Sequence, residues 1–259
     1  MKTKRLAIIL SVFAAVVLIV VLCSTVFTIT NIELKFYNTP VKLNTLTKDT
    51  VAAHARFNYS ESVFLASKKE YTKNIEEKLP YAKVVAIETV FPNTLRVCVI
   101  ERQEVFVLKK AGGYIVCDSD FKVLRTGAGT FSSVWNNPIL IESKTNVSDS
   151  FIPGMFLSPA AMPEIDRLKD LEGAFYQHEL DVPDLLALVK SVRIAGNNLL
   201  LTTHDGVEIL IHESAGRLVD KVGMAVAVLE GLSSAQRVKG VIAVFTAAGG
   251  EVTGTYLDI

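Results

Sequence analysis

Neither sign of charge is in excess in this chain: 27 basic side chains stand against 27 acidic ones over 259 residues. That balance excludes bulk electrostatic attraction to nucleic acid. Cysteine is scarce as well. Cys23, Cys98 and Cys117 are the only three; they form no Cys-x-x-Cys pair and no disulfide framework, and each lies in an apolar run where cysteine acts as a small hydrophobe. The sequence leaves open whether adjacent strands bring Cys98 and Cys117 together. There is no Gly-x-Ser-x-Gly elbow and no phosphate-cradling glycine loop. His212-Glu213 begins like a zinc-protease helix but lacks the second histidine four residues on. Asp118-Ser119-Asp120 has calcium-loop spacing without that loop's glycine and distal glutamate, so an Asx turn is the expectation. Catalysis is left without residues to carry it. No catalytic residue, metal ligand set, cofactor, small-molecule substrate or nucleic-acid partner is expected.

Charge is absent altogether from residues 6–27, LAIILSVFAAVVLIVVLCSTVF. Twenty-two helical residues span roughly 33 Å, enough to cross a hydrocarbon core. Lys2, Lys4 and Arg5 precede the run and place the N-terminus in the cytoplasm by the positive-inside bias. The run is longer than a signal-peptide core, and no small-x-small site follows it. A lipoprotein anchor at Cys23 would need a small residue where Leu22 stands. The expectation is a cytoplasmic tail at 1–5, a transmembrane helix at 6–27, and an extracytoplasmic remainder. The patterns Asn58-Tyr59-Ser60 and Asn146-Val147-Ser148 match glycosylation acceptors, which matter only in a eukaryotic secretory route.

Outside that run, residues 28–38 alternate as a half-buried strand. Thr47 is placed to cap a helix, with Leu46 and Val51 on either side of the first turn. Ser67-Lys68-Lys69-Glu70 has the form of a capping box, and Tyr71, Ile75 and Leu79 make the apolar stripe of the helix it opens. Pro80 closes that helix. Val85 and Ile87 fall on one face of the next strand, Leu95, Val97 and Val99 on one face of its return, with a turn on Phe91-Pro92-Asn93-Thr94. Glu101 and Arg102 end the return strand and are expected to pair across strands or to mark a domain edge. The order strand, helix, helix, strand, strand predicts a small sheet with two helices on one face over residues 28–101.

From 102 to 259 the pattern is mainly β. Residues 104–124 predict two strands around Gly112-Gly113 and a third after Asp120. Residues 126–155 are polar and loop-rich. Ser158-Pro159 is placed to open a helix carrying Ile165, Leu168, Leu171 and Phe175, with Pro163 able to delay its start. Leu199, Leu201 and Thr203 face Val207, Ile209 and Ile211 across a His204-Asp205-Gly206 turn. Residues 217–232 form a helix with Leu218, Val222, Val226 and Leu229 on one side, and residues 241–245 and 252–259 predict terminal strands around Gly249-Gly250.

These residues resemble the bacterial cell-division proteins FtsQ and DivIB. The resemblance is sharpest in SVFLASKKEYTKNIEEKLPYAKVVAIETVFPNTLRVCVIER, Ser62 to Arg102, which is similar to that family's POTRA domain, and in GGYIVCDSDFKVL, Gly112 to Leu124, which resembles the opening of its second domain. Phe121 stands where the family commonly has glycine. The resemblance implies an α+β protein: one N-terminal transmembrane helix, a β-α-α-β-β POTRA domain, and a mixed, mainly-β C-terminal domain. It implies a non-enzymatic scaffold of the division machinery in the cytoplasmic membrane at the septum. Its partners would be FtsL-like and FtsB/DivIC-like bitopic proteins, bound by strand addition at sheet edges. The implied partner-binding edge is Val241, Ile242, Ala243, Val244, Phe245 with Thr253, Gly254, Thr255, Tyr256, Leu257. Two alternatives stand beside it. One is a POTRA-type chaperone or transport accessory of the envelope. The other is a membrane-anchored cell-wall hydrolase, which requires carboxylates or a metal cluster converging in a pocket of the second domain.

Overall fold

A computed structural model describes residues 2–37, 46–131, 137–143, 150–160, 162–180 and 182–258. The Asn146-Val147-Ser148 pattern lies outside them. The chain divides into two compact units, Met1–Arg102 and Gln103–Ile259.

The first unit contains α1 (Lys2–Thr25), β1 (Asn31–Phe36), α2 (Lys48–Ala55), α3 (Lys68–Lys78), β2 (Ala82–Val90) and β3 (Thr94–Glu101). The described large side chains of α1 between Ile9 and Leu22 are exposed and apolar. Among the described residues no helix is long and apolar enough to cross a membrane, so the anchor expected at 6–27 rests on the sequence alone.

The three strands form one sheet in the order β1-β3-β2, with β1 parallel to β3 and β2 antiparallel to it. Leu95, Val97 and Val99 are buried on the central strand and share a core with Val51 and Ala55 of α2 and Tyr71 and Ile75 of α3. Each buried valine, leucine or isoleucine among them contributes roughly 1.5–3 kcal/mol. A bulge between Val84 and Ala86 interrupts the ladder. It shifts the alternation by one residue, so Ile87 is buried while Val85, expected on the same face, is exposed.

Helix capping also differs from expectation. Thr47 caps α2 as foreseen: the Thr50 N–H donates to Thr47 Oγ1 at 3.2 Å and the Thr47 N–H to Thr50 Oγ1 at 2.9 Å. Ser67 stands at the start of α3 with φ −75° and ψ 69° and makes no side-chain cap bond. The extended backbone that aims a capping hydroxyl at the first turn is absent there, so no box forms at Ser67–Glu70. The helix ends at Lys78, ahead of Pro80.

The second unit contains β4 (Phe106–Lys110), β5 (Gly113–Cys117), β6 (Val123–Ala128), β7 (Ile139–Glu142), α4 (Ile165–Tyr176), α5 (Val182–Leu188), β8 (Val189–Ala195), β9 (Asn198–Thr203), β10 (Glu208–Ile211), α6 (Leu218–Gly231), β11 (Val241–Thr246) and β12 (Val252–Leu257). One nine-stranded sheet runs β12-β11-β10-β9-β8-β7-β4-β5-β6. Its core joins Ile165, Leu168 and Phe175 of α4 and Val222, Ala225 and Leu229 of α6 to Leu201, Ile209, Ile242 and Val244 of the strands.

Three expectations change here. Residues 126–155 are not loop throughout: β7 lies inside the sheet, parallel to both β4 and β8. Helix α4 starts at Ile165 with Glu164 as its cap rather than at Ser158-Pro159. On α6, Lys221 is buried beside Val222, while Val226 is only partly covered. Cys98 and Cys117 are both buried and free.

Candidate partner-binding edge

The ten residues singled out from the resemblance come together as two adjacent strands. β11 and β12 pair antiparallel, with Val241 opposite Leu257, Ala243 opposite Thr255 and Phe245 opposite Thr253. Alternation splits them between two faces. Ile242 and Val244 are fully buried, and Tyr256 packs on the same core. Gly254 belongs to that inner face too: a Cβ there would stand 2.9 Å from side-chain carbons of Met224 and Val228 on α6. Phe245, Thr255 and Leu257 are exposed.

The strands differ in what their backbones can still do. β11 is paired on both flanks, parallel to β10 and antiparallel to β12. Val241 to Phe245 are therefore not an edge, contrary to expectation; the parallel strand β10, with Glu208 opposite Val241, fills that side. β12 is the end of the sheet and leaves one row of backbone donors and acceptors unpaired by sheet neighbours.

The edge is fixed at its C-terminal end. The Tyr256 hydroxyl bonds the carbonyls of Gln236 and Lys239 at 3.2 and 3.1 Å. Lys239 Nζ lies 2.8 Å from Asp258 Oδ1, an exposed pair that raises the lysine's affinity for its proton through that hydrogen bond and charge. Gly240, with φ +92°, allows the close approach, since a Cβ there would meet the Leu257 carbonyl at 2.6 Å. Further in, buried Lys221 donates to the carbonyls of His212 and Glu213 at 2.9 and 2.8 Å and so holds the chain as it leaves β10. Sequence reading missed this lysine; the signal available was a basic residue at helical spacing from Ala225 and Leu229.

A turn forms at Asp118, but its side chain bonds the backbone four residues on rather than the two of an Asx turn. Asp118 Oδ1 accepts from the Lys122 N–H at 2.8 Å, and the Phe121 N–H donates to the Asp118 carbonyl at 3.1 Å. Phe121 occupies the glycine position with φ +59°, held by full burial and by stacking on Phe106 at 4.9 Å. Glu172 nearby has its carboxyl pushed up to about 7 by burial first, then by the charges of Asp120 and Asp118, with Lys169 opposing. Asp118 is committed to the turn, and no group of three or more His, Cys, Asp or Glu suited to a metal occurs among the described residues.

Arg102 is buried and pairs with Glu76 of α3 at 3.6 Å, with Nε toward the Ala82 carbonyl at 3.5 Å. It ties the end of β3 to α3 and, through the Ala82 carbonyl, to the neighbouring strand β2.

Residues 41–102 match the family model for the POTRA domain, FtsQ-type. This chain carries an FtsQ-type POTRA domain. The match ends at Arg102, the last residue of the first unit, and it supports the FtsQ/DivIB family read from Ser62 to Arg102. FtsQ-type POTRA domains point to a division-related scaffold engaged in protein–protein interaction. No curated protein matches the chain.

Proposed function

We propose that this protein is a non-enzymatic scaffold of the bacterial division machinery, anchored in the cytoplasmic membrane by residues 6–27 with its N-terminus in the cytoplasm. Its extracytoplasmic part binds FtsL-like and FtsB/DivIC-like bitopic proteins by adding a partner strand to β12. The observation that carries this reading is the FtsQ-type POTRA domain at 41–102. The unpaired flank of β12 supports strand addition, since it offers backbone groups in register beside the exposed Thr255 and Leu257. The uncharged run after Lys2, Lys4 and Arg5 supports the anchor and its orientation.

The test is the position of an N-terminal fluorescent fusion in dividing host cells, with depletion alongside. Septal enrichment and filamentation on depletion are expected. Photo-crosslinkers at Thr253, Thr255 and Leu257 are expected to capture small bitopic division proteins, while one at Val85 in the POTRA domain does not. An even membrane distribution with normal division would overturn the scaffold and favour a transport accessory built on the same POTRA module.

A further inference from the structure

The first unit carries an aromatic cluster at the rim of its core: Phe27 packs against that core, while Phe64 and Phe91 are not part of it. Phe27, Phe64 and Phe91 meet edge to face or tilted, with centroids 5.2 Å apart for Phe27–Phe64, 6.2 Å for Phe27–Phe91 and 5.4 Å for Phe64–Phe91. A ring cluster of this kind ordinarily marks a core. Here Phe64 is 54% exposed, Phe91 65% and the adjacent Leu65 76%. Three large apolar side chains are thus presented outward from two loops, the one before α3 and the one between β2 and β3.

The position of the cluster is fixed by backbone bonds to the segment that leaves α1. The Val63 N–H donates to the Phe27 carbonyl at 2.8 Å, the Ile29 N–H donates to the Glu61 carbonyl at 3.0 Å, and Thr28 forms an isolated bridge with Ser62. Phe27 also closes the apolar run 6–27; Thr28, Thr30 and Asn31 follow it before the first charge at Glu33. A run of this length puts its final residue at the outer boundary of the hydrocarbon core. Rings within 6.2 Å of Phe27 then lie at that same depth, where aromatic side chains concentrate at the membrane–water interface.

We infer that Phe64, Leu65 and Phe91 insert into the outer interface of the lipid bilayer, giving the POTRA domain a second contact with the membrane beside its anchor. This rests on the anchor reading given above. The contact adds a second foothold beside the anchor, and it fixes which side of the POTRA sheet faces the lipid. β1 then leads away from the surface, so Tyr37, just beyond its far end, stands roughly 30 Å along an extended path from Thr28 and in water.

The test uses the full chain reconstituted in vesicles of phosphatidylethanolamine and phosphatidylglycerol, some carrying bromine on the acyl chains as a contact quencher. Trp135, the single tryptophan, is replaced by phenylalanine, and one tryptophan is returned at Leu18→Trp, Phe64→Trp, Phe91→Trp or Tyr37→Trp. Positions 64 and 91 are expected to be quenched at least twofold more than position 37, and position 18 most of all. Quenching at 18 with positions 64 and 91 no different from 37 would overturn the lipid contact and leave the anchor standing. No quenching at 18 would overturn the anchor, and the inference with it.

Discussion

The two units handle charge differently. In the POTRA domain the described buried charged residues are Glu101 and Arg102, at the very end of its last strand. Its other ion pairs, such as Arg96 with Glu33 at 3.0 Å and Glu88 at 3.7 Å, are open to solvent. In the second unit charge is spread through the interior: Glu104, Asp118, Lys122 and Lys221 are all buried. Arg125 reaches Glu104 with two bonds of 2.6 and 3.1 Å and packs over the adjoining rings of Tyr114 and Phe131. A three-stranded sheet under two helices closes over an apolar core, with buried charge confined to the end of β3. A nine-stranded sheet with loops of uneven length leaves backbone carbonyls and turns inside, and charged side chains satisfy them. Stability of the second unit should therefore depend on its charges more widely than that of the POTRA domain, where Arg96 and its partners are more open to solvent.

Arg125→Ala is the strongest challenge to that contrast. It strips the cation from a buried carboxylate and is expected to cost about 3–5 kcal/mol, read as faster amide exchange across β5 and β6 with the POTRA strands unchanged. Lys221→Met keeps the packing volume but removes two charged hydrogen bonds; a loss of about 2–3 kcal/mol is expected in urea unfolding. An unchanged midpoint would mean that the His212 and Glu213 carbonyls find water instead.

Glu172 sharpens the comparison through pH. Below pH 4.5, its ordinary value, both states hold the proton; between there and about 7 the folded chain holds it while the unfolded chain releases it. Stability contributed by this group is thus lost as pH rises through that window. Glu172→Gln is expected to remove the loss and to stabilise the protein at pH 8 by about 1–2 kcal/mol after discounting for solvent screening. Melting curves at pH 4 and pH 8 would show it, and an unaltered pH profile would place the proton elsewhere. Arg96→Ala in the POTRA domain is the smallest effect: no resolved change in the unfolding midpoint at physiological salt, since exposed pairs are screened. A drop comparable to that of Lys221→Met would end the contrast between the units.

Where sequence and structure agree, the deciding interactions are between near neighbours. The hairpin register of Leu199 with Ile211 and Leu201 with Ile209 follows from a four-residue turn and side-chain alternation. The Asp118 turn follows from a short side chain that bonds its own backbone four residues on. Disagreement begins where a distant segment supplies the partner. Val85 faces out because a bulge adjusts β2 to β3, and β7 was hidden because a four-residue strand between two parallel neighbours carries too few residues to show alternation. The Ser67 box is absent because its ψ of 69° lies away from a capping geometry.

By itself the sequence determined the order of elements in the POTRA domain, the uncharged run that precedes it, the late hairpins and the helix between them. Each depends on periodicity or turn chemistry within about a dozen residues. Only the tertiary structure decided which of the two terminal strands is the edge. That choice turns on β10 taking β11 as a parallel neighbour across the whole of α6, a pairing set by packing against that helix and by nothing local to either strand. The same holds for Phe121, whose left-handed backbone is maintained by the core around its ring, and for Phe64 and Phe91, two loops apart in sequence and brought to the end of α1 by the fold.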